Sequence, residues 1–173
     1  KAAFEATEYL IELGHKRICF LTQDFQSMKS RQDRYLGYVD ALEKYKIPVD
    51  EQLVQYWDRK LGFQQTPKSM LEATNPPTVF FTQHLPITTE LLTAFNNENI
   101  SIPDDVSLLA FDELPMAEYL KVPITVITQN PYEVGREAAK LLLDNINDNE
   151  TPPQKIIIPC SFIKRDSCKS IAN

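Results

Sequence analysis

The sequence predicts an α/β chain built on a doubly wound, mainly parallel sheet, and two features carry that prediction. Short apolar runs, Arg17–Leu21 (RICFL), Thr78–Thr82 (TVFFT), Val106–Phe111 (VSLLAF) and Ile124–Thr128 (ITVIT), read as buried strands. Between them lie segments whose apolar residues recur at helical spacing, such as AAFEATEYLIEL near the start and YEVGREAAKLLL near the end. Strands alternating with helices imply parallel βαβ units with right-handed crossovers.

The elements follow in order. A helix from about Ala3 to Leu13 buries Ala3, Ala6, Leu10 and Leu13, and Gly14 stands where a C′ glycine would end it. The first strand, Arg17–Leu21, leads into a polar loop. Ser30 and Asp33 have capping-box spacing, so a second helix is placed from there to about Tyr45, with Tyr35, Tyr38, Val39 and Leu42 inward. After the Ile47-Pro48 break, Gln52–Tyr56 reads as a strand ending at Trp57, and residues 58–62 as a loop. A helix ending near Thr74 starts either at a Thr66 cap with Pro67 in first position or near Phe63. Asn75-Pro76-Pro77 separates it from strand Thr78–Thr82, and Pro86 opens a helix to about Asn97. Val106–Phe111 is the next strand, Pro115–Leu120 one helical turn, and Ile124–Thr128 a further strand. Asn130, Pro131 and Glu133 start a helix running to about Asn145, with Val134, Ala138, Leu141 and Leu142 inward. Lys155–Ile158 (KIII) reads as a last strand, residues 161–164 as a short extended piece, and the tail after Arg165 as frayed.

A chain of 173 residues can bury one sizeable core, and 43% hydrophobic content with mixed charge suits a folded domain. The net charge of −6 argues against a general nucleic-acid surface. The basic residues Lys16, Arg17, Lys164, Arg165 and Lys169 read as solvated ends. Cys19 reads as a small buried hydrophobe, and Cys160 and Cys168 lack metal-ligand spacing; the expectation is a reducing, cytoplasmic compartment. No apolar run approaches a membrane span. Four glycines, with no GxGxxG or GxxxxGK[ST], leave no phosphate-cradling loop. The chain opens directly into a helical pattern, so it is expected to be part of something longer.

In an open parallel sheet, ligands bind outside the carboxyl ends of the strands. The residues after the predicted strands are Trp57, Gln83, His84 and Asp112, and Arg34 lies early in the second helix. A guanidinium and a carboxylate can make paired bonds to adjacent hydroxyls, an amide donates and accepts, and an indole offers a flat apolar face. That chemistry suits a sugar or related polyol. Neither a nucleophile with its base, nor an acid pair, nor a metal triad is evident, so recognition without catalysis, cofactor or metal is expected. Each residue has a second reading: Asp112 as a turn or cap residue, Arg34 as a partner of Asp33 or Asp40, Trp57 as packing, Gln83 as a solvated strand end, His84 as a surface or cap residue.

The motifs LIELGHKRICFL (10–21), RYLGYVDAL (34–42), NPPTVFF (75–81), IPDDVSLLAFDE (102–113), PITVITQNPYEVGREAAKLLL (123–143) and FIKRDSC (162–168) occur in order along the chain. With them the chain resembles the sugar-responsive effector domain of the LacI/GalR transcriptional regulators. The resemblance implies the C-terminal lobe of a two-lobed fold like that of periplasmic binding proteins, about residues 1–129 and 156–165. The helix at 131–147 would then pack on an N-terminal lobe absent here, its apolar face finding a substitute in its own sheet or a second chain. It further implies effector contacts by Arg34 and Asp112, a pocket wall at Trp57, and Gln83 where the family usually has Asn or Thr. His84 stands where the family has an acid, which puts the usual bonding scheme there in doubt. Implied partners are a small sugar-like effector, a second copy of the chain through residues 63–74, 86–97 and 114–123, and operator DNA only through a domain outside this chain. A solute-binding protein of a transport system is the alternative; an enzyme finds no support in the residues.

Overall fold

The computed structural model of the chain describes residues 1–25, 28–147 and 154–171. Its elements are helix α1 (Ala2–Glu12), strand β1 (Ile18–Thr22), helix α2 (Lys29–Lys44), strands β2 (Val54–Asp58) and β3 (Gly62–Phe63), helix α3 (Pro67–Leu71), strand β4 (Val79–Thr82), helix α4 (Leu85–Glu98), strands β5 (Ser107–Phe111) and β6 (Thr125–Thr128), helix α5 (Pro131–Asn147) and strand β7 (Ser161–Ile163). They form a seven-stranded sheet in the order β3-β2-β1-β4-β5-β6-β7. The five inner strands run parallel, and antiparallel β3 and β7 close the edges.

The period of two along each strand sends alternate residues to opposite faces. Ile18 and Phe20 of β1, Val79 and Phe81 of β4, and Leu109 and Phe111 of β5 meet Ala3, Ala6 and Leu10 of α1 and Tyr38 and Leu42 of α2. Cys19, Leu21, Phe80, Leu108, Ala110 and Val126 face the other way, onto Met70 of α3 and Ile87, Leu91 and Phe95 of α4. Cys19 is the small buried hydrophobe the sequence implied, with Sγ 3.9 Å from Met70 Sδ. Gly14 has φ +98°, and a Cβ there would lie 2.4 Å from the Ile171 carbonyl oxygen, so both backbone shape and space require glycine.

Several boundaries differ from the sequence reading. Residues 51–53 form a 3-10 turn, so β2 starts at Val54 and contains Trp57 instead of ending before it. Residues 58–62 turn tightly, with Asp58 Oδ1 accepting the Lys60 and Leu61 amides, and let Gly62 and Phe63 pair back as β3. Of the two starts for the third helix, the Thr66 cap is realised: its hydroxyl accepts the Ser69 amide at 3.2 Å, but the helix stops at Leu71. Ser30 lies inside α2 and not at its N-cap; Met28 holds that position without a side-chain cap bond among the described residues, and Asp33 pairs with Lys29 at 2.8 Å. Asn130 does accept the Glu133 amide at 3.0 Å, while the Glu133 carboxylate turns to Arg136.

Three corrections bear on function. KIII forms no strand: Ile156 and Ile157 are exposed, and the free edge of β6 is taken by residues 161–163 instead. The inward face expected of α5 stands in solvent, with Val134, Ala138 and Leu142 exposed, because the described residues offer no sheet for it to cover. The tail after Arg165 is fastened, not frayed. Ser167 is fully buried; its hydroxyl donates to Leu108 O and accepts the Thr125 amide, and its carbonyl accepts the Leu108 amide at 2.9 Å. Further along, the Lys169 carbonyl meets His15 Nε2 at 3.1 Å, and the Ile171 amide donates to Leu13 O.

Candidate functional site

The carboxyl ends of β1, β2, β4, β5 and β6 share one rim, where the sequence reading placed a ligand. Arg34, on the second turn of α2, leans over it. Its guanidinium carbon lies 4.2 Å from the centroid of the Phe111 ring, and Nη1 donates to the Gln83 carbonyl. Burial holds the guanidinium below its usual pKa, and the Asp112 charge acts in the opposite sense. The alternative reading of Arg34, a pairing with Asp33 or Asp40, does not occur among the described residues.

Asp112 follows Phe111 at the end of β5. Its backbone is left-handed (φ 71°), a conformation Asp tolerates better than most residues. Its amide donates to Ile127 O at 2.8 Å, and Oδ1 accepts from Gln129 Nε2 at 3.1 Å. Arg34 lies over the ring of Phe111, the residue before Asp112, and Phe81 stacks with the same ring; Arg34 and Asp112 feel each other's charge yet make no ion pair among the described residues. A guanidinium has five N–H donors and a carboxylate two acceptor oxygens, so these bonds do not exhaust either group.

Gln83 is placed differently from a solvated strand end. It is fully buried; Oε1 accepts the Thr22 hydroxyl at 2.6 Å and Nε2 donates to Arg31 O at 2.8 Å. Its amide therefore ties β1, β4 and α2 together beneath the rim. Trp57 is also buried, in the core cluster on the α3 and α4 side, and its indole nitrogen has no partner among the described residues. The ring meets the His84 imidazole edge-on, centroids 6.2 Å apart, and one side lines a cleft of about 330 Å³ with Asp24, Tyr56 and Phe63.

His84 heads α4 without capping it. Its Nε2 lies 2.8 Å from Gln23 Oε1, which also accepts from Arg31 Nη2 at 2.6 Å. A guanidinium only donates, so the oxygen of Gln23 faces both groups and Nε2 carries the imidazole proton. Burial, then the charge of Arg31, pushes the His84 pKa down, so the ring is neutral near pH 7. The sequence reading missed Gln23, Arg31 and Gln129. Gln23 and Gln129 directly follow Thr22 and Thr128, the last residues of β1 and β6, so the strand-end rule extended to those strands would have found them.

Comparison with known proteins supports the fold described above. Residues 7–168 match the family described as periplasmic binding protein-like domain. The HTH-type transcriptional repressor CytR of Escherichia coli (strain K12) is 32% identical over 173 residues, 98% of this chain and 50% of the repressor. The probable HTH-type transcriptional repressor ExuR of Bacillus subtilis (strain 168) is 28% identical over 96% of this chain and 50% of its own length. The chain therefore spans about half the length of the curated relatives it matches. Among solved structures, a LacI transcriptional regulator from Bacillus cereus subsp. cytotoxis superposes with TM-score 0.86 at 32% identity, covering 99% of this chain and 61% of that one. A LacI family regulator from Enterococcus faecium, solved with bound ribose, gives TM-score 0.84 at 28% identity over 98% of this chain and 63% of that one. The parallel sheet and these matches together place the chain in the periplasmic-binding-protein-like domain family, in the form carried by LacI-type transcriptional regulators.

Proposed function

We propose that this chain is the effector-binding and dimerisation region of a DNA-binding transcriptional regulator that responds to a small sugar-like ligand. The observation that carries the reading is the Arg34–Phe111–Asp112 arrangement: a cation and an anion held beside one aromatic ring, unpaired with each other, at the carboxyl rim of a parallel sheet. Their opposite charges suit a neutral polyol, which offers donors to the carboxylate and acceptors to the guanidinium. The regulators from Enterococcus faecium, with ribose, and CelR, with cellobiose, are neighbours whose ligands have that chemistry. The curated relatives are repressors, which favours a regulator over a transport component.

Arg34 and Asp112 contact the ligand in this reading. Gln83 and Trp57 support from behind: Gln83 fixes the Arg34 side of the rim through its carbonyl, and Trp57 backs the rim beside His84. The C-terminal lobe comprises about residues 1–129 with the segment around β7. The apolar face of α5 (Tyr132, Val134, Leu142, Leu143 and Ile146) packs on a second lobe in the whole regulator. Ligand bound between the lobes favours the closed state by its extra contacts there, and closure repositions DNA-binding heads carried outside these 173 residues. The regulator works in the cytoplasm as a homodimer joined through this lobe, without enzymatic activity.

A thermal-shift screen of the whole regulator against neutral sugars and nucleosides tests the proposal. At least one such compound raises the melting temperature; a screen in which none does overturns it.

A further inference from the structure

The left-handed backbone of Asp112 needs its neighbours to hold it, and two are already placed: its own amide donates to Ile127 O, and Leu114, two residues on, is buried in the core. A third fastening has no part in the rim itself. The Glu113 carboxylate accepts from both ends of the Arg165 fork, Nη1 at 2.9 Å and Nη2 at 2.6 Å, and also from the Leu114 amide at 3.2 Å. Arg165 is in turn anchored at the start of β6: Nη1 donates to Ile124 O at 2.8 Å, and its backbone amide donates to the Thr125 hydroxyl at 3.0 Å. The side chains are largely shielded, at 22% and 35% exposure, so the pair keeps more of its strength than an open surface pair. Arg165 depresses the carboxyl pKa of Glu113, and Glu113 raises that of Arg165, a consistent sign from both partners.

A bidentate fork restricts rotation as well as distance. Glu113 shares a peptide bond with Asp112, so fixing its side chain limits the torsions that aim the Asp112 carboxylate. We propose that Glu113 and Arg165 are a positioning pair that sets the orientation of Asp112 for ligand. The proposal rests on the reading of Asp112 as a ligand contact, but its test needs no ligand.

Amide hydrogen exchange on the chain is measured for the wild type, Glu113→Ala, Arg165→Lys and Leu114→Ala. In Glu113→Ala, exchange of the Asp112 amide speeds at least tenfold while amides of β4 and β5 keep wild-type rates. Arg165→Lys, which keeps the charge but loses the fork, gives a smaller change in the same place. Leu114→Ala loosens residues 114–120 and speeds exchange at Asp112 less than Glu113→Ala does. Wild-type exchange at Asp112 in Glu113→Ala overturns the proposal, as does equal acceleration in Leu114→Ala, which would assign the role to apolar packing. Should Glu113→Ala lose protection throughout, the milder Arg165→Lys decides by the same criterion. A sugar screen that fails while these exchange results hold would count against the ligand reading and leave the positioning intact.

Discussion

The Arg34 guanidinium stacks 4.2 Å from the ring centroid of Phe111, the residue that immediately precedes Asp112. One strand end therefore supplies the platform for the cation and, a residue later, the anion. The stacking holds the guanidinium by its face, and of its in-plane N–H groups Nη1 donates to the Gln83 carbonyl.

Arg34→Lys separates charge from shape. Lysine keeps the positive charge but loses the planar stack and the fork. Ligand affinity, measured by isothermal titration, falls at least tenfold, while urea denaturation shows a loss of only about 1 kcal/mol, the scale of one cation–π contact. Unchanged affinity would remove Arg34 from the site.

Ser167→Ala tests the fastened tail. The alanine leaves the buried Thr125 amide and the Leu108 carbonyl without their hydroxyl partner. A loss of about 1–3 kcal/mol is expected in chemical denaturation, the cost of unsatisfied buried groups. A change under about 0.5 kcal/mol, the range of ordinary surface substitutions, would mean that the tail is loose in solution.

The pH dependence has a definite sign. The two histidines of the chain, His15 and His84, both have pKa values lowered chiefly by burial. A histidine lowered in the folded state binds its proton more readily when unfolded, so stability rises with pH between the folded pKa and the ordinary value of about 6.5. Unfolding free energy accordingly falls from pH 7 to pH 5, by at most about 1.4 kcal/mol per pH unit for each group. The lowered carboxylates, Glu8, Asp58 and Glu113, act below this window. In the neutral state His15 Nε2–H donates to the Lys169 carbonyl, and Nδ1 faces the Thr78 hydroxyl. His15→Gln should flatten the slope of stability against pH in urea titrations; an unchanged slope would exclude His15 as a source.

The order of strands and helices was legible because burial on both faces writes continuous apolar runs such as TVFFT and SLLAF. The rim followed from topology alone, and it brought Arg34 and Asp112 to one place. What was illegible depended on partners distant in sequence. KIII has a strand's composition, but residues 161–163 take the β6 edge. Ser167 looks like an ordinary tail residue, yet it occupies the gap below β6 where Leu108 and Thr125 need bonding partners. Gln83 ends a strand as expected; its burial follows from the Thr22 hydroxyl and the Arg31 carbonyl, which converge on it from β1 and α2. Periodicity gave α5 an apolar face but not the surface that covers it.

The most direct measurement is isothermal titration of the whole regulator with whichever sugar or nucleoside stabilises it, comparing wild type, Arg34→Ala and Asp112→Ala. The account predicts that each variant folds and loses at least tenfold in affinity. Wild-type affinity in both variants would contradict it.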